Sequence, residues 1–266
     1  MTQKLTTVSV DGVFTITLDD PPANTYSYEM MQELDGAVLK ARMDRSVHVI
    51  VITGAGEKFF CAGANIGMLK DADPTFKYYF CLHANETLNR LEQTPKLVIA
   101  ALNGHTVGGG LEVAMAADIR IARQGAGKIG MPEVALGVLP GTGGTQRFAR
   151  LVGKARAIEM MATGTLFSFE DAHAIGLVNH VWGETELKGR GFADAIQEYA
   201  IRFTPPHRAA KAVGHIKRAV QSGLESGLAE GLALERELQQ RLFESEDAKE
   251  GLRANLEKRR PKFEGR

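Results

Sequence analysis

Twice in this chain a short apolar run gives way to a glycine-rich turn and then to the start of a helix. The first run, His48-Val49-Ile50-Val51-Ile52-Thr53, leads to Cys61-Ala62-Gly63-Ala64. The second, residues 96–102, leads straight into Gly104-His105-Thr106-Val107-Gly108-Gly109-Gly110, with a helix starting near Leu111. Unalternating, β-rich runs of this length read as strands buried on both faces. Set among helical stretches, they point to an open α/β sheet. Glycine lets main-chain N–H groups point outward, and each helix start adds its own unpaired N–H groups and positive dipole end. Such turns suit a phosphate or a developing oxyanion. If one N–H from each turn converges, the pair forms an oxyanion hole, in which losing one donor costs about 2.7–4 kcal/mol of barrier.

The remaining pattern is consistent with that class. Asp11-Gly12 between two apolar stretches, 5–10 and 13–18, is a hairpin signal. Ser27 is placed to cap a helix whose apolar face is Met30, Met31, Leu34, Ala37 and Val38. A helix is expected from about residue 74 to 91, a third strand at 118–122, and helices at 144–152 and 154–163 that end near Gly153 and Gly164. Ser168 is a further cap. After Thr204-Pro205-Pro206 the character changes to helix, with Leu224, Leu228, Leu232, Leu238 and Leu242 at helical spacing. This shift divides a core over residues 1–204 from a helical region over 205–266.

Two glutamates stand in surroundings that carboxylates rarely occupy. Glu112 is the lone charge in Gly108-Gly109-Gly110-Leu111-Glu112-Val113-Ala114-Met115-Ala116-Ala117, and Glu133 lies in Met131-Pro132-Glu133-Val134-Ala135-Leu136-Gly137. Carboxylates are seldom buried without a partner or a task. Two of them beside glycine turns read as an acid/base pair. The plainer readings are that Glu112 favours a helix N-terminus and that Glu133 pairs with a lysine or arginine.

Composition removes several classes. Lys+Arg and Asp+Glu number 32 each, so no overall field favours nucleic acid or an anionic membrane. Two cysteines, Cys61 and Cys81, make neither a disulfide framework nor a metal-ligand set. No apolar run reaches transmembrane length and the first residues lack a signal-type apolar stretch, so a cytoplasmic location is expected. Neither 104–112 nor Gly141-Thr142-Gly143-Gly144-Thr145-Gln146 supplies the lysine of a Walker A loop, and Gln146 stands where a dinucleotide fingerprint needs its third glycine. No G-x-S-x-G elbow or H-E-x-x-H is present. Cys61 reads as a small buried residue, His105 as structural, and Trp182 as core.

Taken together the motifs resemble a known family. Phe60-Cys61-Ala62-Gly63-Ala64-Asn65-Ile66 is similar to the F-x-A-G-A-D-[IL] segment of the crotonase superfamily, and Asn103–Glu112 to its N-G-x-x-x-G-G-G-x-E. Residues 132–147, from Pro132-Glu133 through Gly141 to Gln146-Arg147, resemble its P-E-x-x-x-G-x-x-P-G-x-G-G-T-Q-R. Ser245-Glu246-Asp247-Ala248-Lys249-Glu250-Gly251 and Glu257-Lys258-Arg259 fit as well, so the likeness runs along nearly the whole chain in order.

The resemblance implies a spiral of β-β-α units with a C-terminal helical region packing between subunits, in a homotrimer or homohexamer. It implies an acyl-coenzyme A thioester as substrate, no separate cofactor or metal, and no DNA or membrane partner. The thioester oxygen would sit on the N–H groups of Ala64 and Gly109, with Ala62, Ala64, Asn65 and Ile66 along the coenzyme A and Gly141 in a turn near the catalytic water. Lys258 would reach a nucleotide phosphate from a neighbouring subunit. Glu112 and Glu133 map onto the two glutamates of members that add water across a 2-enoyl thioester, which makes enoyl-CoA hydratase the expected activity. Moving a double bond from the 3- to the 2-position is the nearest alternative, and a non-catalytic acyl-CoA or RNA-binding scaffold is the rival of another class. Asn65 replaces the aspartate usual in the first motif, and Asn255 a frequent phenylalanine. In relatives residues 68–79 line the acyl pocket, and Tyr78, Tyr79 and Phe80 read as a bulky wall there.

Overall fold

Strands β1 (Leu5–Val10) and β2 (Val13–Leu18) form an antiparallel hairpin about Asp11-Gly12, as their spacing predicts. Ser27 caps α1 (Tyr28–Met43), accepting from the Met30 N–H, and Met30, Met31, Leu34, Ala37 and Val38 are all buried on its inner face. This computed structural model describes residues 3–266.

From there the chain repeats one move three times: a strand in a large sheet, a short strand in a small sheet, then helix. The first turn is β3 (Val49–Gly54), β4 (Phe59–Cys61), α2 (Ile66–Lys70) and α3 (Pro74–Gln93). The second is β5 (Leu97–Leu102), β6 (His105–Val107) and α4 (Gly109–Met115). The third is β7 (Ile119–Arg123), β8 (Ile129–Gly130), a 3-10 turn at Glu133–Leu136, and helices α5 (Gly144–Val152) and α6 (Lys154–Thr163). After α7 (Phe169–Ala174), whose capping box is built on Ser168, β9 (His180–Trp182) closes the large sheet. The order is β1-β2-β3-β5-β7-β9 in the large sheet and β4-β6-β8 in the small one; every pairing after the β1–β2 hairpin is parallel.

This is the spiral of β-β-α units that the resemblance implies, and it corrects the open single sheet read from the letters. Strands of two or three residues inside glycine clusters leave no period-2 signal to read. The first of them, β4, also lies between the first apolar run and its glycine turn, and α4 begins at Gly109 rather than near Leu111.

Period-2 alternation sorts the large sheet into two faces. Phe14, Ile16, Ile50, Ile52, Val98, Ala100 and Leu102 enter the main core, which fills the space between the sheets and helices. Val13, Val49, Val51, Ile99, Ala101 and Ile121 point the other way, against Ile196 and Ala200. Those two come from α9 (Phe192–Ile201), which follows the short α8 (Glu184–Leu187). Trp182 packs edge-on against Phe192 and Tyr199 beside this second cluster.

Three helices end the chain: α10 (Ala210–Leu224), α11 (Leu228–Phe243) and α12 (Glu246–Leu256). Of the five leucines at helical spacing, Leu238 is buried, whereas Leu224 and Leu228 are 80% and 79% exposed. No helix among the described residues is long and apolar enough to cross a membrane. A buried ion pair fixes α10 to the sheet. Lys217 Nζ lies 2.9 Å from Asp118 Oδ2 and also donates to the Lys96 carbonyl at 3.1 Å, while Asp118 accepts the Val98 N–H at 2.7 Å. Burial pushes the carboxyl up and the ammonium down, and each charge opposes the shift of the other. Breaking such a pair leaves a charge uncompensated. Lys217→Met is expected to lower the unfolding free energy by about 3–5 kcal/mol in denaturant titrations, and Asp118→Leu/Lys217→Met to recover part of that loss. A single variant as stable as wild type would show that the pair does not anchor the helix.

Candidate active site

The ends of the three small strands meet. Beyond β4 comes the Ala62-Gly63-Ala64 turn, beyond β6 comes Gly108 and the first turn of α4, and beyond β8 come Pro132 and Glu133. The Tyr26 N–H bonds the Gly63 carbonyl and the Asn65 N–H bonds the Tyr26 carbonyl, which pins the first turn from outside. The first two turns touch: a Cβ on Gly63 would lie 3.0 Å from the Gly109 nitrogen. Neither the Ala64 nor the Gly109 N–H donates to an acceptor among the described residues, so both are open to a ligand oxygen.

Glycine is required twice here. Gly108 has φ +56°, and a Cβ on it would lie 2.9 Å from Glu133 Oε1. A Cβ on Gly109 would overlap the Tyr26 ring, 2.6 Å from its Cζ.

The two glutamates occupy opposite environments. Glu112, in the first turn of α4, is 2% exposed, and its carboxylate reaches the loop before α5 rather than capping its own helix. Oε1 accepts the N–H groups of Thr142 at 2.8 Å and Gly144 at 2.7 Å, and Oε2 accepts the Thr142 hydroxyl. The two N–H groups can only donate, so Oε1 is held as an acceptor by both. Glu133 has no comparable set, and its buried Oε2 lacks any hydrogen-bond partner. Burial pushes this carboxyl up to about 7; its own backbone N–H pulls it down, Glu112 adds to the rise and Lys77 opposes it.

One pocket of about 280 Å³ gathers Ala62, Ala64, Ile66, Gly109, Glu112, Glu133 and Gly141, all named from the sequence. Two candidates fall outside its lining. The Asn65 side chain accepts the Met68 N–H at 3.0 Å and caps α2, and Lys258 lies exposed beyond α12 with φ +54°. The bulky wall is corrected as well: Tyr78 and Tyr79 are 65% and 60% exposed and Phe80 is in the core. Consecutive helix positions diverge in direction, and residues 68–79 contribute Leu69 and Lys77 to the pocket instead. A larger cleft of about 680 Å³ runs along α10 beside Asp118 and Lys217 and contains neither glutamate.

Tyr26, Thr142 and Lys77 line the pocket without having stood out in the sequence. Thr142 sat inside a glycine-rich motif that drew attention to its neighbours, and Tyr26 had no pattern around it. Cys61 is fully buried with its thiol pushed up to about 12 by desolvation, the inert state expected of it. His105 Nδ1 accepts the Lys128 N–H at 3.0 Å, a structural role. Among the described residues no group of His, Cys, Asp and Glu could hold a metal ion.

A family model for enoyl-CoA hydratase/isomerase matches residues 9–266. The chain belongs to the enoyl-CoA hydratase/isomerase family. Within this family, a short-chain-enoyl-CoA hydratase of Clostridium acetobutylicum is 38% identical over 95% of this chain and 94% of its own length. An enoyl-CoA isomerase/hydratase of Mycosarcoma maydis is 35% identical, covering 96% and 93%. A crystal structure of an enoyl-CoA hydratase from Geobacillus kaustophilus superposes with a TM-score of 0.94 at 45% identity, covering 100% of this chain and 98% of that one. The two-sheet architecture and the C-terminal helices are therefore the crotonase fold.

The carboxyl of Glu133 has a stability signature. The folded group titrates near 7 and an ordinary one near 4.5. Between these values the folded state keeps a proton that the unfolded state has lost. The stability this group contributes is thus present below about pH 4.5 and lost as pH rises through about 7. Glu133→Gln is expected to raise Tm at pH 8 by about 2 °C, roughly 1 kcal/mol, with the gain shrinking toward pH 5. A melt at pH 8 lower than that of wild type would contradict the raised carboxyl.

Proposed function

We propose that this protein is an enoyl-CoA hydratase, adding water across the 2,3-double bond of a 2-enoyl-CoA to give a 3-hydroxyacyl-CoA. The observation that carries the reading is the opposed pair of carboxyls on one pocket: Glu112 held as an acceptor by three donors, Glu133 with its Oε2 unpartnered and poised near neutrality.

The thioester carbonyl accepts from the N–H groups of Ala64 and Gly109. This polarises the enoyl system, makes its β-carbon electrophilic and lets negative charge collect on oxygen as an enolate. Glu112 takes a proton from water as the water oxygen bonds to the β-carbon. Glu133 gives its proton to the α-carbon as the enolate collapses, so one water is added and no redox partner is needed. Each positioned acid or base is worth about 10²–10⁴ in rate. Ala62 and Ile66 flank the thioester arm, Gly141 the water, and Leu69, Leu136 and Leu139 offer apolar surface to the acyl chain. The names carried by relatives agree with this chemistry.

The reading extends to assembly. Leu224, Leu228 and Leu256, the last 84% exposed, form apolar surface on the C-terminal helices where copies of the chain would meet as a homotrimer or homohexamer. Region 205–266 then serves both as cover for the core and as subunit contact, and Lys258 reaches a nucleotide phosphate bound to the neighbouring copy.

A second reading, shifting a double bond from the 3- to the 2-position, needs one glutamate at the position of Glu133. The three donors spent on Glu112 have no use in it. Purified protein with crotonyl-CoA should show rapid loss of the conjugated enoyl-thioester absorbance, and Glu112→Gln or Glu133→Gln should each reduce kcat at least about 100-fold. Isomerisation of a 3-enoyl-CoA that survives Glu112→Gln, without hydration by wild type, would replace the assignment. Because Glu133 must enter protonated, kcat/KM for hydration should fall as pH rises through about 7, and kcat/KM for the reverse dehydration should rise. A hydration profile flat from pH 6 to 8 would remove Glu133 as the donor.

A further inference from the structure

One residue touches both amide turns and the loop that holds Glu112 without offering a reacting group. The backbone of Tyr26 bonds both flanks of the first turn, its N–H to the Gly63 carbonyl at 3.0 Å and its carbonyl to the Asn65 N–H at 2.9 Å. Its ring fills the space that a side chain at Gly109 would take, so the second turn rests directly on it. Its hydroxyl lies 3.1 Å from Thr142 Oγ1, and that oxygen bonds Glu112 Oε2. Tyr26 is 3% exposed, and its ring packs at 5.8 Å against Phe80.

The direction of this relay follows from the chemistry of its end. A carboxylate can only accept, so the Thr142 hydroxyl donates to Glu112, and Thr142 Oγ1 must then accept from the Tyr26 hydroxyl. Burial, with the charge of Glu112 behind it, pushes the phenol well above its usual range, which keeps that proton in place. Hydrogen bonds in series polarise one another, so the phenol strengthens the grip of Thr142 on the carboxylate. A phenylalanine would fill the same volume against Gly109 and Phe80 and do none of this.

We propose that Tyr26 is a positioning residue that sets Glu112 in register with the two amide turns, through its hydroxyl and Thr142 on one side and through its ring and backbone on the other. A tyrosine placed here for packing alone would leave its hydroxyl inert. As a member of the relay, it orients the carboxylate that meets water while leaving substrate binding alone.

The inference rests on the hydratase reading, and its test is a ratio that can be separated from that reading. Tyr26→Phe should lower kcat for crotonyl-CoA hydration about tenfold, the upper end of the worth of one neutral hydrogen bond, with KM and Tm close to wild type. Thr142→Val should lose at least as much, Thr142→Ser should restore most of the rate, and Tyr26→Phe/Thr142→Val should be no slower than Thr142→Val alone, because the relay is already cut. Full activity in Tyr26→Phe would overturn the proposal. So would independent, multiplying losses in the double variant, or a fall in Tm and a rise in KM that account for the whole effect. Absence of turnover by wild type removes the hydratase reading instead. The relay is then read without turnover: a Tyr26→Phe crystal structure with Thr142 and the Glu112 carboxylate in their wild-type positions would overturn it as well, and a displaced carboxylate would support it.

Discussion

Parallel pairing within the small sheet is the constraint on which the site depends. Cys61 pairs with Thr106, and Thr106 with Ile129, so three strands of two or three residues leave the sheet side by side and in the same direction. The segments after these strands are therefore forced into one place: an open amide after β4, an open amide and Glu112 after β6, Glu133 after β8. Ligand sites at the carboxyl ends of parallel strands are a general outcome of α/β architecture. In this fold the rule acts through the minor sheet, while the large sheet supplies the rigid wall against which both core clusters pack.

The contrast between the two glutamates arises from their local chain rather than from their distance to solvent alone. Glu112 stands on a helix whose first turn abuts the 142–144 loop, and that loop presents two amides and a hydroxyl. Glu133 begins a 3-10 turn whose next residues are apolar and open toward solvent, so nothing nearby donates to its buried Oε2. One carboxyl is thereby fixed as an acceptor and the other kept near its titration point. Two unlike carboxyls are obtained from one residue type in two environments.

Much of this was legible in the letters, and the parts that were not have identifiable causes. The buried strands at 48–53 and 96–102, the helix ends at Gly153 and Gly164 and the cap at Ser168 carry local signals: apolar runs, αL-permissive glycine, a hydroxyl ahead of a helix. Glu112 and Glu133 were visible because a charge in apolar sequence is rare. The small sheet was not visible, since β8 is two residues long and no periodicity survives at that length. Tyr78 and Tyr79 misled because aromatic content says nothing about which side of α3 faces the pocket. Tyr26 and Thr142 are 116 residues apart, and no local pattern encodes a bond between them.

Cys61 sits beneath the same turns, its sulfur accepting the Gly63 N–H at 3.4 Å and its carbonyl packed against Gly110. A site that receives thioesters beside a cysteine is exposed to acyl transfer, since a thiolate exchanges readily with the acyl–sulfur bond. With the thiol held near 12, the reactive fraction at pH 7 is on the order of 10⁻⁵. The apolar packing that shapes these glycine turns would therefore also keep a thioester bound there from acylating Cys61.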